Sequence, residues 1–324
     1  MKKVIAMILA LAALTAILAG CGSSETAPVA SAAQTTTQAS GEVDAYSVGG
    51  NLTLGTASST GTFYYVGAAI GNAVSDAGKL NVLVQATAGS NENVAMAQSG
   101  DIDLGMANCD ALYAAYNGTM GYADAGKQDI QEVAALYESQ LHVFVTEKSG
   151  ITDISQLKGK KVCIGSQGTS YLFINEAILN AYGIALSDVT PFYMSYAEAA
   201  EALANGDIDA AFQTGGYPIA GIQQYAATTA FRMLPLSDEV IQKVNGEYPF
   251  AKPSTIPAKT YENQSNEDAV ATLSYMTCLF CSSKANDDQV YAFVKLMMET
   301  LDTYKDTNSS TQQISSETVA TQYI

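Results

Sequence analysis

Residues 52–65 read LTLGTASSTGTFYY and join a strand pattern to a helix pattern. Leu52 and Leu54 alternate with polar residues up to Gly55, and apolar residues at helical spacing follow from Thr62. The loop between them, rich in glycine and hydroxyl residues, leads to a helix start whose first backbone N–H groups lack partners. With the helix dipole, such groups favour an anion such as a carboxylate or a phosphate. The stretch therefore predicts either an anion site or an ordinary capped turn without a ligand.

A second copy of this plan begins at residue 162. Residues 162–171, VCIGSQGTSY, again give a strand, a loop of glycine and hydroxyl residues, and the start of a helix. Each copy continues to a GDID motif, at residues 100–103 and 206–209. The glycine predicts the left-handed turn that ends a helix, and the aspartates are interpreted as turn residues rather than catalysts. The repeat predicts two lobes of like plan, each presenting a helix N-terminus.

Alternating strand and helix patterns predict an α/β fold in which each lobe is a sheet flanked by helices. The strand patterns fall at 80–85, 104–107, 133–137, 142–146, 161–165 and 210–213, and the helical patterns at 62–77, 91–99, 171–182, 196–205 and 287–304. Two hinge crossings are expected, near residues 146–150 and 272–281. We therefore expect one lobe from residues 50–147 and 275–324, and a second lobe from residues 148–274.

The N-terminus predicts export and a lipid anchor. Two lysines precede an apolar run over residues 4–19, which is too short to span a bilayer comfortably. The run ends in LAGC, which resembles the lipobox of bacterial lipoproteins and makes Cys21 the lipidated residue after removal of a signal peptide, residues 1–20; an ordinary signal peptide is the alternative. Residues 21–49 are interpreted as a disordered tether. The domain is thus expected outside the cytoplasm, at the cell surface or in the periplasm.

The charge balance limits the partners. A formal net charge of −17 argues against nucleic acid, which needs a basic surface, and against direct adhesion to anionic lipid. The single arginine, Arg232, lies in a run typical of a strand edge or surface, so a bidentate arginine clamp is not expected. A bound carboxylate would then depend on helix N-termini, hydroxyls and tyrosines.

The candidate ligand-binding residues follow the loops and motifs of both copies. They are Ser58, Ser59, Thr60, Gly61, Thr62, Tyr64, Gly89, Ser90, Asn93 and Asn108 in the first lobe, and Ser166, Gly168, Thr169, Ser170, Thr214, Gly215 and Tyr217 in the second. Asn108 fits a helix cap equally well. Tyr64 and Tyr217 are favoured among the tyrosines because they lie at loop–helix junctions. His142, in an apolar run, is interpreted as a buried imidazole at the hinge rather than as a ligand contact.

Other chemistries have weaker support. The pair Cys278-x-x-Cys281 allows a zinc or redox site, but it lies in a strand pattern that places the two thiols on opposite faces, which favours core thiols. No cofactor or metal is expected. The sequence has neither a GxxxxGK[ST] nor a GxSxG motif, and its one histidine makes a catalytic triad doubtful. An enzyme and a structural lipoprotein or adhesin remain the competing classes.

Over residues 52–304 the chain resembles the TAXI-type substrate-binding proteins of tripartite ATP-independent periplasmic (TRAP) transporters. The resemblance is carried in the first half by LGT (54–56), TGTFYY (60–65), QATAGSNEN (85–93), QSGDIDLG (98–105), AYNG (115–118) and LKGKKV (157–162). In the second half it is carried by EAAEAL (198–203), GDIDA (206–210), TGGYP (214–218), YPF (248–250) and IPAKTY (256–261).

The resemblance implies a two-lobed, type II-like periplasmic-binding-protein fold that closes on a small acid. Glutamate, 2-oxoglutarate-like acids and other dicarboxylates are the ligands associated with the family. It also implies delivery of the ligand to an ion-gradient-driven TRAP permease; a binding protein for an ATP-driven importer or a sensor is the alternative. A monomer is expected. Two departures stand out: Ala57 and Ser58 occupy positions where the family more often has glycine, and the sequence ends at Ile324, earlier than expected.

Overall fold

The computed structural model describes residues 43–324. The predicted signal peptide, Cys21 and most of the predicted tether lie outside these residues. The tether was expected to reach residue 49, but the fold begins earlier. Ala45 is fully buried, and the Tyr46 hydroxyl donates to Glu299 over 2.7 Å. Residues 43–49 are therefore packed against the domain.

Each predicted helix and strand pattern falls on an observed element, and the structure adds helices and strands that the patterns did not predict. The strands are β1 (Gly49–Gly55), β2 (Lys79–Gln85), β3 (Leu104–Asn108), β4 (Gln131–Thr146), β5 (Lys161–Cys163), β6 (Thr190–Phe192), β7 (Ala210–Gly215), β8 (Phe231–Met233), β9 (Lys252–Ile256) and β10 (Val270–Cys281). The helices are α1 (Thr62–Ala77), α2 (Ser90–Ser99), α3 (Cys109–Asn117), α4 (Leu172–Ala181), α5 (Tyr196–Asn205), α6 (Ala220–Ala226), α7 (Asp238–Glu247), α8 (Asp287–Glu299), α9 (Leu301–Tyr304) and α10 (Ser316–Val319).

Within residues 43–324 the ten strands form one mixed sheet flanked by helices, which confirms the α/β class. The main order is β2-β1-β3-β10-β4-β7-β5-β6, with β8 beside β4 and β9 beside β10. Strands β1, β2 and β3 are parallel, and so are β5, β6 and β7. The two parallel groups have the same internal order, and the antiparallel pair β10 and β4 joins them.

The predicted repeat is visible in this topology. The first repeat, residues 49–117, and the second repeat, residues 161–226, each run strand-helix-strand-helix-strand-helix. Each GDID glycine ends its helix in the left-handed region, with φ of 85° at Gly100 and 81° at Gly206.

The second aspartate of each GDID motif makes the same contact in both repeats. Asp103 accepts the backbone N–H of Thr53 in β1 at 2.7 Å, and Asp209 accepts that of Lys161 in β5 at 2.8 Å. The interpretation of these aspartates as turn and edge residues is therefore confirmed. Each one ties the start of a motif strand to its parallel neighbour.

Strand β4 joins two runs that the sequence pattern separates. Its polar middle is satisfied across the sheet, because Ser139 Oγ and Thr277 Oγ1 lie 2.8 Å apart. Gln140 is the residue where β4 exchanges partners, since it pairs with Ser274 of β10 and with Gly215 of β7. The chain therefore passes from one parallel group to the other in the middle of β4, before the crossing expected near residues 146–150.

The cysteines are core residues. Cys278 belongs to a buried cluster that spans the sheet with Leu273 and Tyr275, whereas Cys281 packs in a different cluster with Phe293. Both thiols are free, and burial raises the pKa of Cys281 to about 11. The expectation that residues three apart in a strand face opposite sides is confirmed.

The C-terminal segment, residues 305–324, crosses from one parallel group towards the other. The Ser309 hydroxyl donates to the Tyr217 carbonyl, and Glu132 of β4 accepts the backbone N–H groups of Tyr323 and Ile324 at 2.7 and 3.1 Å.

Among the described residues, the helices are too short or too polar to cross a bilayer.

His142 is a buried, hydrogen-bonded imidazole, as predicted. Its Nδ1 donates to the Gln140 carbonyl at 3.0 Å, and its Nε2 accepts the Tyr261 hydroxyl at 2.9 Å. This tautomer follows from the Gln140 carbonyl, which can only accept, so Nδ1 carries the proton and Nε2 is left to accept from Tyr261. Burial lowers the pKa of His142 from 6.5 to about 4, so the ring is neutral at pH 7.

We expect His142 to make folding sensitive to acid. Because its folded pKa is lowered, the stability it contributes is present above pH 6.5 and is lost as the pH falls towards 4. Between pH 7 and pH 5 the wild type should lose about 2 kcal/mol more unfolding free energy than His142→Gln. Urea unfolding of both proteins at the two pH values measures the difference. Equal losses would show that the imidazole is not desolvated.

Candidate functional site

A cavity of about 290 Å³ lies between the two repeats, at the carboxyl ends of their parallel strands. The loops that follow β1, β2, β5 and β6 and the ends of β3 and β7 surround it. In open parallel sheets, ligands bind at this edge because the loops there can vary without disturbing the sheet. The repeated strand-loop-helix units thus place both predicted loops around one space.

The cavity brings together about half of the predicted residues. Nine of them line it: Ser58, Ser59, Gly61, Thr62, Ser90, Asn108, Ser166, Thr169 and Thr214. Eight others do not line it: Thr60, Tyr64, Gly89, Asn93, Gly168, Ser170, Gly215 and Tyr217.

Several of the eight serve the walls of the cavity instead. Asn93 is fully buried and its Nδ2 donates to the carbonyls of Thr56 and Met106 at 2.7 and 2.8 Å, which anchors α2 behind the lining. Ser170 donates to Asp110 at 3.0 Å. Tyr217 contributes its carbonyl to the C-terminal segment.

The lining also contains residues outside the predicted set. These are Ala57, Phe63, Thr87, Ala88, Tyr171, Ser195 and Tyr196. The repeat itself could have found Ser195 and Tyr196, because they follow β6 just as Gly89 and Ser90 follow β2.

Tyr196 organises one wall of the cavity. Its hydroxyl donates to the Thr214 carbonyl and accepts the Tyr171 hydroxyl at 3.3 Å. The Tyr196 ring also lies against Gly61, where an added Cβ would come within 3.4 Å of the ring. Burial raises the pKa of Tyr171 and Tyr196, so both hydroxyls stay neutral.

Five helices begin at residues that line the cavity, but most of their N-termini are already occupied. Helix α2 receives the Gly168 carbonyl, which accepts the N–H of Asn91 at 3.0 Å. Helix α5 is closed by the reciprocal bonds of Ser195 and Glu198. Helix α3 carries Asp110 in its first turn. At the start of α4, only the preceding residue, Tyr171, reaches the lining.

Helix α1 is different because its N-terminus is open to the cavity. Gly61, Thr62 and Phe63 all line the space, and no side chain caps this helix. The first N–H groups of a helix have no partner within it, so they are available to a ligand.

Two side chains complete the set of available donors. Thr214 is 4% exposed and lines the cavity, yet its Oγ1 has no hydrogen-bond partner. Asn108 occupies the cap position of α3 without capping it; its Oδ1 accepts the Thr277 hydroxyl at 3.1 Å, which leaves Nδ2 as a donor. A buried hydroxyl without a partner is costly, so Thr214 gains free energy when it binds a ligand.

The two repeats are hydrogen-bonded directly to each other around the cavity. Thr62 Oγ1 donates to the Gly216 carbonyl at 2.8 Å, and the Gly221 N–H donates to the Thr60 carbonyl at 3.0 Å. Outside the lining, Asn91 Nδ2 of the first repeat also donates to the Thr169 carbonyl of the second repeat at 3.0 Å. The walls of the cavity therefore meet on two sides.

Asp110 is a buried carboxylate just outside the lining. Its Oδ1 accepts the Ser170 hydroxyl at 3.0 Å, whereas its Oδ2 has no partner. Burial raises its pKa from 3.8 to about 6, although the bonds from Ser170 and from backbone N–H groups pull in the opposite direction. The carboxylate thus lies at the contact between the repeats at a cost in free energy.

The described lining contains no ionised side chain. Arg232 lies in β8, where its Nη2 pairs with Glu147 at 2.9 Å, in agreement with the strand-edge interpretation. Any anion in the cavity would be held by dipoles and hydroxyls rather than by a basic residue.

A family model described as the NMT1-like family matches residues 54–324. The chain belongs to the NMT1-like family. The match covers both repeats and the C-terminal segment, so the NMT1-like unit includes every residue around the cavity.

Two solved structures share the fold of this NMT1-like chain. A periplasmic transporter superposes with a TM-score of 0.54 at 15% identity, over 78% of this chain and 83% of that one. A protein from Bordetella bronchiseptica RB50 gives a TM-score of 0.52 at 17% identity, over 84% of this chain and 76% of that one. At these identities the likeness concerns the fold alone.

We expect Asp110→Asn to stabilise the protein at neutral pH. Because the folded pKa is raised, the stability linked to this carboxyl is present below pH 3.8 and is lost as the pH rises through about 6. Removing the buried charge should add about 2 kcal/mol to the unfolding free energy at pH 7.5 and almost nothing at pH 4.

Urea unfolding at both pH values measures this effect. Asp124→Asn, at an exposed position just after the first repeat, controls for the loss of one negative charge. A variant less stable than the wild type at pH 7.5 would contradict the burial cost assigned to Asp110.

Proposed function

We propose that the chain is an extracytoplasmic solute-binding lipoprotein of a TRAP transporter. In this role it captures a small carboxylic acid by closing a cleft, and it delivers the acid to an ion-gradient-driven membrane permease. The observation that carries the proposal is the cavity between the repeats, to which both repeats contribute loops and helix starts. The TAXI-like motifs and the fold shared with a periplasmic transporter support it.

Two lobes would form the cleft. We assign residues 50–140 and 275–324 to one lobe and residues 141–274 to the other, with the boundary in β4 at the exchange of partners rather than at residue 147. The two lobes are joined through β4 and β10. Each lobe alone would offer only part of the contacts, so a ligand that touches both favours the closed arrangement. The hydrogen bonds from Thr62 to Gly216 and from Asn91 to Gly168 and Thr169 belong to that arrangement.

The ligand carboxylate would lie at the N-terminus of α1. The N–H groups of Thr62 and Phe63, the Thr214 hydroxyl and Asn108 Nδ2 are the donors available to it. Hydrogen bonds to a charged group contribute about 1.5–3 kcal/mol each. Four of them supply about 6–12 kcal/mol before the costs of association, against the roughly 8 kcal/mol of a micromolar complex, so contacts with the rest of the ligand supply the remainder.

The cavity suits binding rather than catalysis. Its hydroxyls and amides can hold a ligand, but the described lining supplies neither a general base nor an activated nucleophile. Anchoring through Cys21 would keep the domain near the permease, with the acidic surface directed away from anionic lipid.

Ligand binding should compact the protein. Small-angle scattering of the full chain, with and without a saturating acid, should show a smaller radius of gyration in the bound state because the ligand favours closure. A screen of acids, amino acids and sugars by thermal shift identifies the ligand beforehand, since a ligand at 100 times its Kd adds about 2.7 kcal/mol. If no compound in the panel shifts the melting temperature, the proposed function fails.

Thr62→Val should weaken binding about five- to tenfold. The substitution keeps the shape of the side chain but removes the hydrogen bond to Gly216, which links the repeats in the closed arrangement. Calorimetry measures the change, and Thr255→Val, on an exposed position of β9, is the matched control. An unchanged Kd in Thr62→Val would mean that this contact does not contribute to closure.

A further inference from the structure

We infer that the ligand of this cavity is a monoanion, with a single carboxylate, no ammonium group and a neutral far end. This inference rests on the proposed function and narrows its ligand class. It also departs from the glutamate-like and dicarboxylate ligands that the family resemblance implies. The reason is an asymmetry in the donors and acceptors of the lining.

One end of the cavity has donors without acceptors. The N-terminus of α1 is uncapped, and Thr214, buried and lining the same cavity, has an Oγ1 without a partner. Thr62, the first residue of α1, bonds to Gly216, two residues after Thr214, so the two features lie close together. This end is built for one anionic group.

Several other hydroxyls of the lining have already donated their protons. Thr169 Oγ1 donates to the Ser166 carbonyl at 2.9 Å, and Ser166 Oγ donates to the Gln167 carbonyl at 3.3 Å. Thr87 Oγ1 has acceptors at 2.9 Å on Thr56 and at 2.8 Å on Asn93. These residues show a ligand their oxygen lone pairs and methyl groups, which suit a hydroxyl or an alkyl chain.

The N-termini of α2 and α5 are already bonded to other groups of the protein. The Gly168 carbonyl accepts from the N-terminus of α2, and Glu198 and Ser195 close α5. A second carboxylate would find no basic side chain in the described lining. Burying an ion without a partner costs several kcal/mol, so a dicarboxylate is selected against.

An ammonium group is disfavoured for the complementary reason. The described lining contains no carboxylate. Asp110 has a free Oδ2, but it lies outside the lining and is bonded to Ser170. A keto or hydroxy group at the same position needs no counter-ion.

Matched pairs of acids test the inference. Calorimetry on the full chain compares monocarboxylates and dicarboxylates of three to six carbons, including 2-oxopentanoate against 2-oxoglutarate, and adds norvaline as the amino analogue. We expect the best monocarboxylate to bind at least tenfold more tightly than its dicarboxylate partner and than its amino analogue.

The outcomes separate the two proposals. If a dicarboxylate or an amino acid binds as tightly as its monocarboxylate match or more tightly, the inference is overturned and the proposed function stands. If no acid of either class binds saturably, both are overturned.

Variants at the two ends give an independent readout. Thr214→Val should weaken monocarboxylate binding about tenfold, whereas Thr255→Val should not. Ser166→Lys, which adds a cation to the far end, should shift the ratio of dicarboxylate to monocarboxylate affinity at least tenfold towards the dicarboxylate. Gln167→Lys adds the same charge next to the lining and should leave the ratio unchanged. An equal shift of this affinity ratio in both lysine variants would contradict the assignment of a neutral far end to the cavity.

Discussion

The carbonyl of Gly168 on the N-terminus of α2 is the contact on which the site depends. It lets one repeat cap a helix of the other, with bonds to Asn91 and Glu92. The approach is close, since a Cβ on Gly168 would come within 3.0 Å of Ala88, and its φ of 89° suits glycine. With this helix start used for closure, α1 is left as the start that faces the cavity without a cap. One backbone contact thus uses the N-terminus of α2 to join the repeats and leaves the N-terminus of α1 available to a ligand.

Leaving α1 uncapped has a cost that a ligand can return. A suitable cap side chain contributes about 1 kcal/mol to a helix, and Gly61 supplies none. The unpaired hydroxyl of Thr214 adds to the cost. Both are relieved when an anion enters, whereas the capped helices α2 and α5 gain nothing from it. Unsatisfied groups in the folded chain thus favour the bound state without any charged side chain.

Most of the fold could be predicted from the sequence, and the site only in part. Local patterns predict α1 over its observed range, and the repeated GDID motif predicts the paired parallel groups, because these depend on residues close in sequence. Most candidate residues carry hydroxyls in or beside loops, and the sequence does not reveal whether such a hydroxyl already donates its proton to another group of the protein. Asn93 and Ser170 point to structural partners 13 to 60 residues away in sequence, and Tyr196 reaches Thr214 across a strand. Such assignments depend on tertiary packing, which sequence periodicity does not encode.

The neutral lining has a consequence for the pH dependence of binding. Backbone dipoles and hydroxyls do not titrate at environmental pH, and the lining tyrosines Tyr171 and Tyr196 have a pKa raised by burial. A cavity held together by histidine or by ion pairs would change its affinity as the surroundings acidify. In this one, acidification would act on the proposed acid ligand and on Asp110 beside the lining rather than on the lining itself.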